Sequence, residues 1–134
     1  LQLQYQIQAV AVDNMNLLQG AREYKFMSEN SRLAKTLATE LKIPVLALYQ
    51  LKREIDERQD KRPTLTDLKQ SGEIENDADV VLFLYRESYY QDRSSEEYHS
   101  AEIDVAKQRD GATGVFSVTW KAATMSFEDR KQEA

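Results

Sequence analysis

At 134 residues and 41% hydrophobic content, the chain has apolar material for one modest core and not for several domains. No run approaches the roughly 18 consecutive apolar residues of a membrane span, and Leu1-Gln2-Leu3-Gln4-Tyr5-Gln6 lacks the blocks of a signal peptide, so a cytoplasmic protein away from membranes is expected. With no cysteine and one histidine, disulfide frameworks, thiolate sites and the usual zinc constellations are excluded, and a net charge of −5 argues against wrapping nucleic acid by bulk electrostatics.

In chain order, Ile7-Gln8-Ala9-Val10-Ala11-Val12-Asp13 is a short apolar run ending in a carboxylate, the pattern of a buried parallel strand that delivers an acid at its carboxyl end. Leu33, Ala34, Leu37, Ala38 and Leu41 recur at helical spacing and predict a helix from about Ser28 to Lys42, with Ser28 or Ser31 as its cap. After Pro44, Val45-Leu46-Ala47-Leu48-Tyr49 predicts a second strand, so strand, helix and strand make a parallel crossover unit. From Lys52 to Arg62 nine of eleven positions are charged, which predicts a solvated loop or short helix. Val80-Val81-Leu82-Phe83-Leu84-Tyr85 is a third strand whose near-continuous hydrophobicity predicts cover on both faces and a place beside the first two. Ser88 to Ser100 reads as a polar, mobile loop in which His99 is solvated and Tyr89 and Tyr90 pack on the core or stack on a base. Ile103 to Lys107 and Val115 to Trp120 alternate around Gly111 and Gly114 as an antiparallel hairpin, and residues after Lys121 read as a fraying tail. The fold class is therefore α/β, with parallel strands, a crossover helix and a C-terminal antiparallel hairpin.

Four places can carry chemistry. Asp13 at a strand end can orient magnesium near nucleotide phosphates, and it is equally an ordinary turn or cap residue. Gln50, after the second strand, can sense a terminal phosphate or merely turn the chain. In Lys69-Gln70-Ser71-Gly72 a cation precedes a glycine that lets backbone amides approach a phosphate; an exposed connection has the same composition. Lys107 and Arg109 fall on one face at the hairpin tip and suit an anion, although cations there also guard a sheet edge.

Taken together and in order, these segments resemble the motor domain of DnaB-type replicative DNA helicases from about Gln8 to Phe127. Val10-Ala11-Val12-Asp13 is similar to the Walker B strand, and Ile43-Pro44-Val45-Leu46-Ala47-Leu48-Tyr49-Gln50-Leu51 to the strand that ends in a phosphate-sensing glutamine. The most distinctive blocks are Arg58-Gln59-Asp60-Lys61-Arg62-Pro63, then Glu73 through Arg86, then Ala106-Lys107-Gln108-Arg109-Asp110-Gly111. The resemblance implies a partial RecA-like fold in residues 1–127 with a polar tail over 128–134, a homo-hexameric ring, and ATP-driven movement along single-stranded DNA with duplex unwinding. It further implies Asp13 as the acid associated with Mg2+, and Gln50 as the sensor. Lys69, Gln70 and Gly72 become the DNA-backbone loop, and Lys107 and Arg109 the cations that reach the ATP of a neighbouring subunit. Primase and a helicase loader are implied partners.

Departures accompany the match. Asn14 stands where the family has tyrosine, Tyr49 where it has a small serine, and Lys69-Gln70 where it has Arg-Glu. Nothing in the chain matches the glycine-rich phosphate loop with its Lys-Ser/Thr, nor the strand that bears the catalytic glutamate. A piece of a longer enzyme, inactive alone, is therefore expected. A truncated, non-catalytic module that binds DNA or a complete helicase stands beside that reading. A recombinase-type RecA relative is disfavoured by the Lys107-Gln108-Arg109 block.

Overall fold

The computed structural model describes residues 6–18, 24–51, 53–69, 73–90 and 98–130. They fall into two compact units, one from residues 1–52 and 65–78, the other from 53–64 and 79–134.

In the first unit, β1 (Val10–Val12) and β2 (Val45–Ala47) pair in parallel, Val10 opposite Val45 and Val12 opposite Ala47. The helix between them, α1 (Tyr24–Leu41), packs on β2 and makes the expected crossover. It begins ahead of Ser28, so neither Ser28 nor Ser31 caps it. Its inward face also differs from the leucine pattern: Ser31 is buried while Leu33 is 65% and Leu37 37% exposed. The covered stripe steps through Met27, Ser31, Ala34 and Ala38, one helical position away from the leucines. Lys42, with φ of 53°, ends the helix in a left-handed turn ahead of Pro44.

Two short helices lie in the stretch read as an exposed connection, α2 (Leu65–Lys69) and α3 (Ile74–Asp77). Leu68 and Ile74 are buried, and with Met15 they form this unit's apolar core. The start of α3 is tied to α1 by the Glu73 N–H, which donates to Ser28 Oγ at 3.4 Å.

In the second unit, β3 (Val80–Arg86), β4 (Tyr98–Gln108), β5 (Gly114–Lys121) and β6 (Ser126–Asp129) form an antiparallel sheet in that order. The third strand thus pairs with β4 and not in a parallel set with β1 and β2. Its two faces are unequal: Val81 and Phe83 are buried, whereas Leu82 and Leu84 are 52% and 59% exposed. Leu82, Leu84, Ile103, Phe116, Trp120 and Phe127 share that second face, because each stands opposite another member or two residues along the strand from one. His99 lies in β4 opposite Trp120, within the segment read as a loop.

The expected fraying tail is ordered through β6. Met125 takes the left-handed conformation, φ 51°, and reverses the chain so that Phe127 stands opposite Trp120 with ring centroids 4.9 Å apart. The charged stretch forms one 3-10 turn, Arg53–Glu57, which buries Ile55. No helix among the described residues is long and apolar enough to cross a membrane.

Candidate functional site

The carboxyl ends of β1 and β2 carry Asp13 and Gln50 on adjacent hydrogen-bonded strands, the place where open α/β sheets hold ligands. Pairing continues past the strands: the Leu48 N–H donates to Val12 O at 3.0 Å and the Met15 N–H to Leu48 O at 2.9 Å. One step further a side chain takes over. Asn16 Oδ1 accepts the Gln50 N–H at 2.8 Å, and Asn16 Nδ2 donates to Gln50 O at 3.3 Å.

On the other side of Gln50, the Tyr49 hydroxyl shares a hydrogen bond with buried Ser31, and burial pushes the Tyr49 phenol up. The tyrosine that replaces a small serine is thus anchored to α1. Asp13 and the Gln50 side chain are both exposed, whereas Asn14 is half-buried and its Oδ1 is enclosed without a hydrogen-bond donor among the described residues.

Among the described residues no three His, Cys, Asp or Glu side chains cluster as a metal cage. One exposed carboxylate suits magnesium, which keeps most of its shell as water and phosphate oxygens and needs only one or two protein acids. The donor set therefore fits that ion and no all-protein cage.

Lys107 and Arg109 belong to the second unit. A β-bulge places Val81 opposite Lys107 but Leu82 opposite Val105, so Ala106 is the extra residue and Lys107 is turned to the face of Val81 and Phe83. Arg109, one residue past the strand, keeps the pairing by donating its N–H to Asp79 O at 2.9 Å, and its guanidinium meets the Asp79 carboxylate at 3.1 Å. The two cations therefore share a face at the hairpin tip, as their spacing predicts. Asp79 was not legible as their companion.

Of the DNA-loop residues, Lys69 ends α2, while Gln70 and Gly72 lie outside the described residues. Buried Leu68 and Ile74 anchor the two helices that flank that loop, and α2 and α3 pack on each other.

The block around Arg62 has a structural task. Its guanidinium bonds both oxygens of Glu102, at 2.7 and 2.8 Å, and lies over the Tyr85 ring at 4.6 Å. That contact holds the Glu102 carboxyl below its ordinary range and raises the guanidinium further still. Tyr89 and Tyr90 pack on each other edge to face, Tyr90 stacks near Tyr85, and Arg86 lies over both Trp120 and Tyr89. These rings meet the chain's own side chains, which is the packing reading of the two tyrosines.

Residues 1–129 match the model of the DnaB-like helicase C-terminal domain. The replicative DNA helicase DnaC of Bacillus subtilis is 45% identical over 116 residues, 83% of this chain and 25% of that protein. Replicative DNA helicase DnaB of Helicobacter pylori is 38% identical over 155 residues, 88% of this chain and 32% of that protein. Among solved structures, a DnaB-like ATPase domain superposes with a TM-score of 0.80 at 39% identity, covering 92% of this chain and 44% of the other. A DnaB-like replicative helicase, solved in a study of its interactions with primase, gives 0.79 at 37% identity, covering 92% and 31%. The chain spans about a quarter to a third of the length of these curated relatives.

Proposed function

Because the chain belongs to the DnaB-like helicase C-terminal domain family, we propose that it is the C-terminal part of a replicative helicase motor that hydrolyses ATP to move along single-stranded DNA and separate duplex. The observation that carries this reading is the placement of Asp13 and Gln50 at the carboxyl ends of two paired parallel strands.

A nucleotide triphosphate at that edge lies against a rigid sheet. Asp13 holds the water shell of Mg2+, and the ion, when bound with ATP, neutralises charge on the phosphoryl oxygens. Gln50 offers an uncharged amide that distinguishes a terminal phosphate from its absence by hydrogen bonding alone. Lys107 and Arg109 act in a homo-hexamer on the nucleotide of the neighbouring subunit, where an arginine stabilises charge as the phosphoryl group leaves. Lys69, Gln70 and Gly72 hold the DNA backbone, Lys69 by charge and Gly72 by letting an amide approach a phosphate. Primase and a helicase loader are its protein partners, the first also named for one of the similar helicases.

The experiment is single-stranded-DNA-stimulated ATP hydrolysis and forked-duplex unwinding by the full-length subunit. Both activities are expected, and Gln50→Ala is expected to lower hydrolysis by about 10²–10³, the usual loss for one preorganised polar contact. Unwinding that proceeds unchanged without Gln50 contradicts the assignment.

A further inference from the structure

Asn16 has no chemical part in the mechanism above, yet it makes the most specific polar contact of the first unit. Its carboxamide accepts the Gln50 N–H at 2.8 Å and donates to the Gln50 carbonyl at 3.3 Å. This two-point contact has the pattern by which strands pair, made by a side chain. It falls one step beyond the last backbone bonds between the two strand ends, Leu48 to Val12 and Met15 to Leu48. Only asparagine and glutamine carry a donor and an acceptor on one planar group, so few other residues can make it.

Gln50 lies outside β2, and nothing in the strand itself fixes its backbone. The contact supplies that fixation, and it does so from the loop that bears Asp13, three residues before Asn16. The residue before Gln50 is held separately, through the bond of Tyr49 to Ser31. Backbone restraint on both sides with an exposed side chain is what a sensing group needs: a fixed origin and freedom to reach its ligand.

We propose that Asn16 is a positioning residue for Gln50, locking the sensor's backbone to the Asp13 loop so that acid and glutamine keep one spacing through the cycle. The proposal rests on the sensing role assigned to Gln50. It predicts a loss in the chemical step and not in nucleotide affinity, because a displacement of about 1 Å in a reacting constellation costs on the order of 10² in rate.

The test is a double-mutant cycle on DNA-stimulated ATP hydrolysis by the full-length subunit, with kcat and KM measured separately. Asn16→Ala should lower kcat by roughly 10- to 100-fold and leave KM within about twofold. Asn16→Gln, which keeps the carboxamide, should restore most of the rate. In the Gln50→Ala background, Asn16→Ala should cost nothing more, since a residue that acts through another loses its effect when the other is gone. If Asn16→Ala does not fold, Asn16→Asp replaces it; it keeps the acceptor and the size and sets an oxygen against the Gln50 carbonyl, and the same losses are expected. An unchanged kcat, or an equal loss with and without Gln50, overturns the positioning role while leaving the sensor in place. If Gln50→Ala itself leaves turnover intact, the sensing role is what fails, and the proposal falls with it.

Discussion

Arg109 meets Asp79 twice, by its backbone N–H on the Asp79 carbonyl at 2.9 Å and by its guanidinium on the Asp79 carboxylate at 3.1 Å. The two contacts differ in kind. The side chains are 50% and 52% exposed, so the ion pair contributes at most about 1 kcal/mol. The backbone bond keeps the hairpin tip in register whether or not that pair is made. A guanidinium so weakly held can leave for a phosphate. Asp79→Asn is accordingly expected to lower the melting temperature of this chain by no more than about 4 °C, read by circular dichroism. A much larger drop would mean that the pair is structural and that Arg109 is not available to a nucleotide.

Acid should act through Glu102. Arg62 holds its carboxyl below the ordinary value of 4.5 in the folded chain, so the pair adds stability above the unfolded pKa, and that stability is lost as pH falls through the lower, folded value. The melting temperature should fall from about pH 5 downward, and part of that fall should vanish in Glu102→Gln. Arg62→Lys should destabilise at neutral pH, since lysine keeps the charge but neither the fork nor the stacking on Tyr85. Identical pH profiles for wild type and Glu102→Gln would remove the pair from the acid response.

The 134 residues alone should hydrolyse no ATP, because no glycine-rich loop with Lys-Ser/Thr is present to cradle the phosphates. Magnesium-dependent phosphate release by the purified chain, resistant to Asp13→Ala, would contradict this.

Binding of single-stranded DNA by the full-length subunit should be nearly indifferent to base sequence, since phosphate contacts carry no base identity. Its affinity should fall with salt at a slope of about −0.7 per neutralised phosphate. Lys69→Ala should flatten the slope and weaken all sequences alike, while Gly72→Val should weaken binding at an unchanged slope. Fluorescence anisotropy across a salt series separates the two, and a base-selective loss with Lys69→Ala would contradict backbone recognition.

How much of this was legible depended on the range of each interaction. Asp13 and Gln50 could be placed because each ends an apolar run, and the run alone marks the strand. The helix between them could be placed by its period, but its inward face could not, because partners outside the segment decide which stripe is covered; Leu33 lost to Ser31. The hydrophobic run of β3 predicted two covered faces and parallel neighbours, while Leu82 and Leu84 are exposed and the partner is β4. A continuous apolar run reports potential for burial and is silent on direction. Helices α2 and α3 hid in polar sequence, although Thr64 and Asp67 have the spacing of a capping box. Strand β6 depends on the left-handed turn at Met125, a residue that gives no turn signal. Asn16 was invisible for a simpler reason: its partner is 34 residues away.

The most direct measurement is a subunit-mixing assay of ATP hydrolysis in the full-length protein. Subunits with Arg109→Ala are mixed with subunits lacking the phosphate-loop lysine, each inactive alone if the arginine contributes the roughly 10³–10⁵ in rate of such residues. A trans-acting Arg109 predicts that activity reappears in the mixture, at interfaces where an intact loop meets an intact arginine. Arg109→Ala subunits that turn over ATP normally on their own, or a mixture of well-assembled rings that stays silent at every ratio, would contradict the shared site and the ring-shaped motor proposed for this chain.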